Sequence, residues 1–293
     1  MRSAEALGKA LSVKLTDIFQ EHGPFSIEEI RSDDGLKSNL LTDPIFSVEI
    51  TSDNSFKVTA NPKDISRAIL RDYYYGYCRV KSQWASTTTL AAKKGVAWTL
   101  VSAYYCSFFG AIEALRVCGT HLLSLSSDEA KSLFSKCGGP HLDAILKKKN
   151  FRGVISSDMS TIGYTHHGEK PHATAWIEMQ RSVLDIVPSK VSSWEEIAKF
   201  RLMCKGKNGW EAPSDIRNRW NYRDSNYYGS LGDSAASPFL NLICDSGAAS
   251  AWIRGQSSVR SEADSAASIA ILAQFIQGAI QGSFDFGFTG NLK

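Results

Sequence analysis

Eighteen consecutive residues, Gly95 to Ile112, carry no charge. Within and just beyond them Trp98, Val101, Tyr105, Phe108, Phe109, Ile112 and Leu115 recur at steps of three and four, the period of an α-helix. Tyr104, Cys106 and Ala111 fill the other sides. A helix that is apolar nearly all round has to be enclosed by other helices or by lipid. Thr99, Ser102, Ser107, two tyrosines and two glycines make this one too polar for an easy membrane span. The segment therefore predicts a central helix of a mainly α protein. A second uncharged run, the twenty residues between Asp264 and Asp285, behaves alike. Ile269, Leu272, Ile276 and Ala279 line one stripe, and Gln274, Gln277 and Gln281 another. It reads either as a helix that docks on a partner or as an internal helix with one edge in water.

Around these two segments the period sets the rest of the organisation. Residues 3–20 read as an amphipathic helix with no continuous apolar run of the signal-peptide kind. Phe46, Val48 and Ile50, then Phe56 and Val58, alternate with polar residues across the turn Ser52-Asp53-Asn54-Ser55, which predicts a small β-hairpin. Helices are expected over 64–83, 89–118, 127–136, 140–148, 174–187, 193–204, 214–223, 237–254 and 263–281. The Gly-, Ser-, Thr- and His-rich stretch 150–173 and residues 224–237 read as loops. The expected division is an N-terminal helix plus hairpin over 1–63 and a helical bundle over 64–293.

Composition narrows the function. A net charge of +3 is too weak by itself to indicate nucleic acid. Six cysteines stand no closer than twelve residues apart, which excludes a zinc ribbon or a redox dithiol and fits free thiols in a reducing cytoplasm. No phosphate-binding P-loop, dinucleotide fingerprint, HExxH or GxSxG is present. No cofactor is expected. His166, His167 and His172 fall in one loop beside Glu169, but adjacent loop histidines seldom converge, so no metal is expected there either. One of the three is instead a candidate to lie over an anion site. Tyr73, Tyr74, Tyr75 and Tyr77 between Arg71 and Arg79 suit either the core or an RNA surface.

The polar chemistry concentrates at Pro213-Ser214-Asp215-Ile216-Arg217-Asn218-Arg219-Trp220-Asn221-Tyr222-Arg223. Ser214 is the expected N-cap, which would put Arg217 in the first turn, beside free backbone amides. Asn218 and Tyr222 would share a face, and Arg219 and Arg223 would form a second pair calling for phosphates or carboxylates. The alternative for Arg217 is an internal ion pair with an acid such as Glu113.

Two of these features together resemble the HEPN domains. Tyr104-Tyr105, followed by Phe108, Phe109, Ala111, Ala114 and Leu115 on one helix, resembles a conserved-type core helix of that superfamily, and Arg217-Asn218 matches the start of its R-x(4–6)-H motif. The position of the histidine is held by Tyr222, and no histidine follows it in the chain. The resemblance covers about residues 64–255 through these two short motifs. It implies a HEPN-like helical bundle, a homodimer or a subunit of a larger complex, away from membranes, in a toxin–antitoxin or antiviral defence system. It implies binding of RNA or a nucleotide, and metal-independent RNA cleavage with Arg217, Asn218 and Tyr222 as catalytic residues. Arg219, Arg223, His166, His167 and His172 would then contact substrate. The competing expectation is a catalytically inactive interaction subunit, because a tyrosine is a poor base near neutral pH.

Overall fold

The computed structural model describes residues 1–135, 137–223 and 238–292. The chain opens with α1 (Arg2–His22), α2 (Ile27–Ser32) and α3 (Leu36–Thr42). Strands β1 (Ser47–Ser52) and β2 (Ser55–Thr59) follow, then the long pair α4 (Pro62–Ala92) and α5 (Val96–Val117). Next come β3 (Thr120–Ser124), α6 (Ser127–Phe134), α7 (Leu142–Ile145), β4 (Asn150–Ile155) and β5 (Thr161–His166). The C-terminal part comprises α8 (Pro171–Glu178), α9 (Trp194–Lys205), α10 (Pro213–Asn218), a helix α11 over 238–244, α12 (Ser246–Gly255) and α13 (Glu262–Ser283). The protein is thus mainly α.

Local chemistry explains the helix starts. Ser26 with Glu29, and Ser126 with Glu129, form reciprocal capping boxes ahead of α2 and α6. Asn61 accepts from the Lys63 amide and Pro62 occupies the first position of α4, where its missing N–H is harmless. Between α4 and α5 the chain reverses through Lys94 at φ 57°. The two helices then run side by side as the most extensive helix pair in the molecule.

The expected hairpin exists, but it is not isolated. β1 and β2 are one edge of a five-stranded antiparallel sheet in the order β1-β2-β5-β4-β3. Strands β4 and β5 occupy much of the stretch 150–173 expected to be loop. Its high Gly, Ser, Thr and His content masks an alternation in which Phe151, Gly153 and Ile155 on β4, and Ile162 and Tyr164 on β5, point inward. Gly153 is required there: a Cβ would stand 2.6 Å from the Tyr164 ring. Phe56 and Tyr164 stack across the strands at 4.6 Å, with Phe134 closing the cluster from α6. The sheet joins strands from both sides of the 63/64 position.

α5 forms the middle of the helical layer, touching α4, α13, α8 and β3. Its surroundings are apolar as expected, except that Trp98 is 58% exposed. α13 packs inside the protein: residues 265–273 are all buried, and Gln274, Gln277 and Gln281 are partly exposed. The segment from Glu262 to Asn291 is long and apolar enough to cross a membrane, yet 72% of its most apolar window is buried inside the protein. α1 lies along it so closely that a Cβ on Gly8 would stand 2.9 Å from the Ala279 carbonyl oxygen. All six cysteines are free.

Candidate functional site

Tyr104 and Tyr105 project from the middle of α5 toward α8 and α10. Tyr104 is fully buried and Tyr105 partly so. α10 crosses above them. It starts at Pro213 with Ala212 as N-cap and ends at Asn218, so Ser214 does not cap it and Arg217 sits in its last turn. The expected support from free amides at a helix start is therefore not available to Arg217. Another feature positions it: Pro213, Ile216, Arg217 and Trp220 form the buried side of α10 and its continuation. Arg217 is drawn inward with its apolar neighbours and is only 7% exposed.

The chain then widens into a π-turn over Arg219–Arg223. Such a turn closes bonds from i to i+5, so residues five apart come into line instead of residues four apart. Tyr222 consequently lies over Arg217, not simply beside Asn218. The Arg217 guanidinium carbon stands 5.1 Å from the Tyr104 ring centroid, 5.5 Å from Tyr105 and 5.5 Å from Tyr222. Tyr222 is 70% exposed, so the cage is open on that side.

No carboxylate pairs with Arg217 among the described residues, and its Nε has no hydrogen-bond partner. Glu113, the alternative partner, is bonded to Arg116 on its own helix. Taking an unpaired cation out of water costs several kcal/mol. Each aromatic face returns roughly 0.5–2 kcal/mol. Three rings thus hold the guanidinium without neutralising it, and the site keeps its attraction for an anion.

His172, from the first turn of α8, completes the cluster. It lies flat on Phe108 with centroids 4.1 Å apart, and its Nδ1 is 2.7 Å from the Tyr104 hydroxyl. The same hydroxyl accepts from Trp176 Nε1 at 3.4 Å. Burial pushes the Tyr104 phenol up to about 12, against the pull of the Arg217 charge. Burial, and then the Arg217 charge, lower the His172 imidazole below its ordinary value. The resting site therefore contains a neutral phenol, a neutral imidazole and one uncompensated guanidinium.

The other expected site residues lie differently. Asn218 is half-buried and makes no side-chain hydrogen bond among the described residues, which leaves its amide open to a ligand. Arg219 grips Glu211 with both Nη atoms, at 2.9 and 2.7 Å, and reaches Glu262 at 3.1 Å, so it fastens α10 to α13. The side chain of Arg223 lies outside the described residues, as does the expected loop 224–237. His166 ends β5 near Lys148, and His167 Nδ1 is 3.0 Å from Thr174 Oγ1. Of the three histidines, only His172 joins Arg217. Tyr104, Tyr105, Phe108 and Trp176 were not foreseen as site residues; the adjacent tyrosines on an apolar helix were the available signal.

A cavity of about 560 Å³ elsewhere, between α3, α4, α5 and β3, is lined by Lys37, Arg71, Asp72, Arg116, His121 and Glu129. Its cations are matched within the protein: Lys37 by Glu129 at 2.8 Å, Arg71 by Asp72 at 3.3 Å and Arg116 by Glu113. It makes a weaker claim on an anion than Arg217 does. Among the described residues no group of three or more His, Cys, Asp or Glu side chains is placed to hold a metal ion. In comparisons with protein-family models, curated proteins and solved structures, the chain has no match.

Proposed function

We propose that the protein binds a phosphate of RNA or of a nucleotide at Arg217. The observation that carries this reading is a nearly buried guanidinium, held by three tyrosine rings and unmatched by any described carboxylate. Partly exposed aromatic rings beside a cation suit nucleic acid, since a base stacks on the ring while the guanidinium takes the phosphate. The resemblance to HEPN domains supports the same ligand, and extends the reading to a HEPN-like bundle of a toxin or antiviral defence system acting in the cytoplasm as a homodimer or complex subunit. It also extends it to metal-independent RNA cleavage. In that reaction Asn218 orients the 2′-hydroxyl, whose oxygen attacks phosphorus as its proton passes to water, and the P–O5′ bond breaks as the 5′-oxygen takes a proton from water, leaving a 2′,3′-cyclic phosphate and a 5′-hydroxyl. Tyr222 donates a hydrogen bond to the phosphate.

The test is fluorescence anisotropy with a labelled ten-nucleotide RNA at low salt, followed by gel analysis of the same RNA after incubation in EDTA. Binding lost in Arg217→Ala supports the phosphate site, and cleavage lost with it supports the nuclease. Binding without cleavage favours a catalytically inactive module, the reading suggested by Tyr222 in the histidine position. Absence of RNA binding by the wild type rejects RNA as the ligand.

A further inference from the structure

His172 and Arg217 converge on opposite features of one phenol. The guanidinium lies over the Tyr104 ring at 5.1 Å, and the imidazole centroid is 5.9 Å from the same ring, bonded to its hydroxyl. Tyr104 Oη accepts from the Trp176 indole, so its own proton needs an acceptor. His172 Nδ1 is the one acceptor bonded to it among the described residues. That arrangement places the remaining imidazole proton on Nε2. Nε2 has no hydrogen-bond partner among the described residues.

The titratable and charged groups facing His172 from neighbouring elements are Tyr104 and Tyr105 on α5 and Arg217 on α10. Glu178, the one acid of α8, is engaged by Arg152 at 2.7 Å and Arg181 at 3.6 Å. A second cation beside Arg217 is therefore opposed while the site is empty, and an arriving anion reverses that opposition.

We propose that His172 is the second ligand of the phosphate at Arg217: it donates from Nε2, and its imidazole takes up a proton as the phosphate binds. This rests on the anion reading of Arg217. The balance is one proton from solvent onto Nδ1; the Tyr104 hydroxyl then accepts from Nδ1 and turns its own proton to the bound phosphate. No bond to phosphorus forms or breaks. The sequence motif ends at Tyr222, whereas this imidazole lies fifty residues earlier in the chain, on α8.

Linkage fixes the expected effect. One proton taken up on binding weakens RNA affinity by up to tenfold for each pH unit of rise, between the free and the bound midpoints of His172. Anisotropy with the ten-nucleotide RNA, read from pH 5.5 to 8 at constant ionic strength, should show this slope in the wild-type chain. His172→Gln keeps a donor near the Nε2 position and cannot titrate, so its binding should be flat with pH and weaker than wild type at pH 5.5. RNA binding that depends on Arg217 but is equally pH-dependent in wild type and His172→Gln overturns the proposal and leaves the phosphate site standing. Ring carbon NMR of His172, assigned by the same variant, needs no RNA. Its midpoint should rise in Arg217→Met, and in wild type on adding inorganic phosphate. A midpoint that neither change moves overturns the proposal even where RNA binds. A midpoint raised by phosphate in a protein that ignores RNA supports His172 as phosphate ligand and rejects RNA as the source.

Discussion

At the scale of single residues, Arg217 and Arg219 are two arginines two positions apart with opposite surroundings. Arg219 is met by Glu211 and Glu262, while Arg217 is met by rings. Burying an unpaired cation is unfavourable, so replacing it with an apolar side chain of similar length should not harm the fold. Arg217→Met is expected to melt at or above the wild-type temperature while losing RNA binding. Arg219→Ala should melt lower, by the equivalent of about 1–2 kcal/mol, because it breaks a partly exposed bidentate pair and leaves two carboxylates together. Thermal melts of both variants check the contrast. An Arg217→Met protein that is much less stable than wild type would mean that the cage is structural.

At the scale of elements, the α4–α5 pair encloses charge as well as apolar surface. Gly76 of α4 leaves room for Glu113 of α5, whose carboxyl sits where a Cβ would otherwise stand. Burial pushes Glu113 from the ordinary value near 4.5 up to about 7, although the Arg116 charge pulls it down. Because the folded state holds this proton more tightly than the unfolded chain, the contribution is fully favourable below about pH 4.5 and lost as pH rises to about 7. His121, buried beside Tyr164, works in the other direction. Its folded value, lowered by burial to about 3, makes its contribution present above the ordinary value near 6.5 and lost toward pH 3. Glu113→Gln should remove the first effect alone. The melting temperature of the variant relative to wild type is expected to climb from pH 4.5 to 7 and then level off. A constant difference across that range would show that Arg116 keeps Glu113 ionised throughout.

At the scale of the whole molecule, the two ends of the chain are tied into one structure. α1 packs along α13, Asn291 donates to Thr16 Oγ1 at 3.0 Å, and β2 supplies the edge on which β5 is built. Residues 64–293 alone would expose the face of α13 that α1 covers and the backbone edge of β5 that β2 satisfies. That fragment is expected to aggregate, while the full chain unfolds in one cooperative transition. Size-exclusion chromatography of the fragment and calorimetry of the full chain test this. A monomeric fragment with a sharp melt of its own would support a division near residue 63.

What the sequence alone determined were the features that repeat locally. The mainly helical character, an enclosed helix within 89–118 and the first hairpin follow from period, charge pattern and residue type, which act over a few neighbours. Strands β4 and β5 were masked by their small polar residues, and β3 by its lack of alternation, because a strand is stabilised by partners distant in the chain. Only the tertiary structure decided that Arg217 would face rings instead of Glu113, since a π-turn shifts Tyr222 by one position and Arg116 claims the acid. It also decided that His172, rather than His166 or His167, would stand beside the guanidinium. Proximity of that kind is set by how α5, α8 and α10 pack, and no local pattern encodes it.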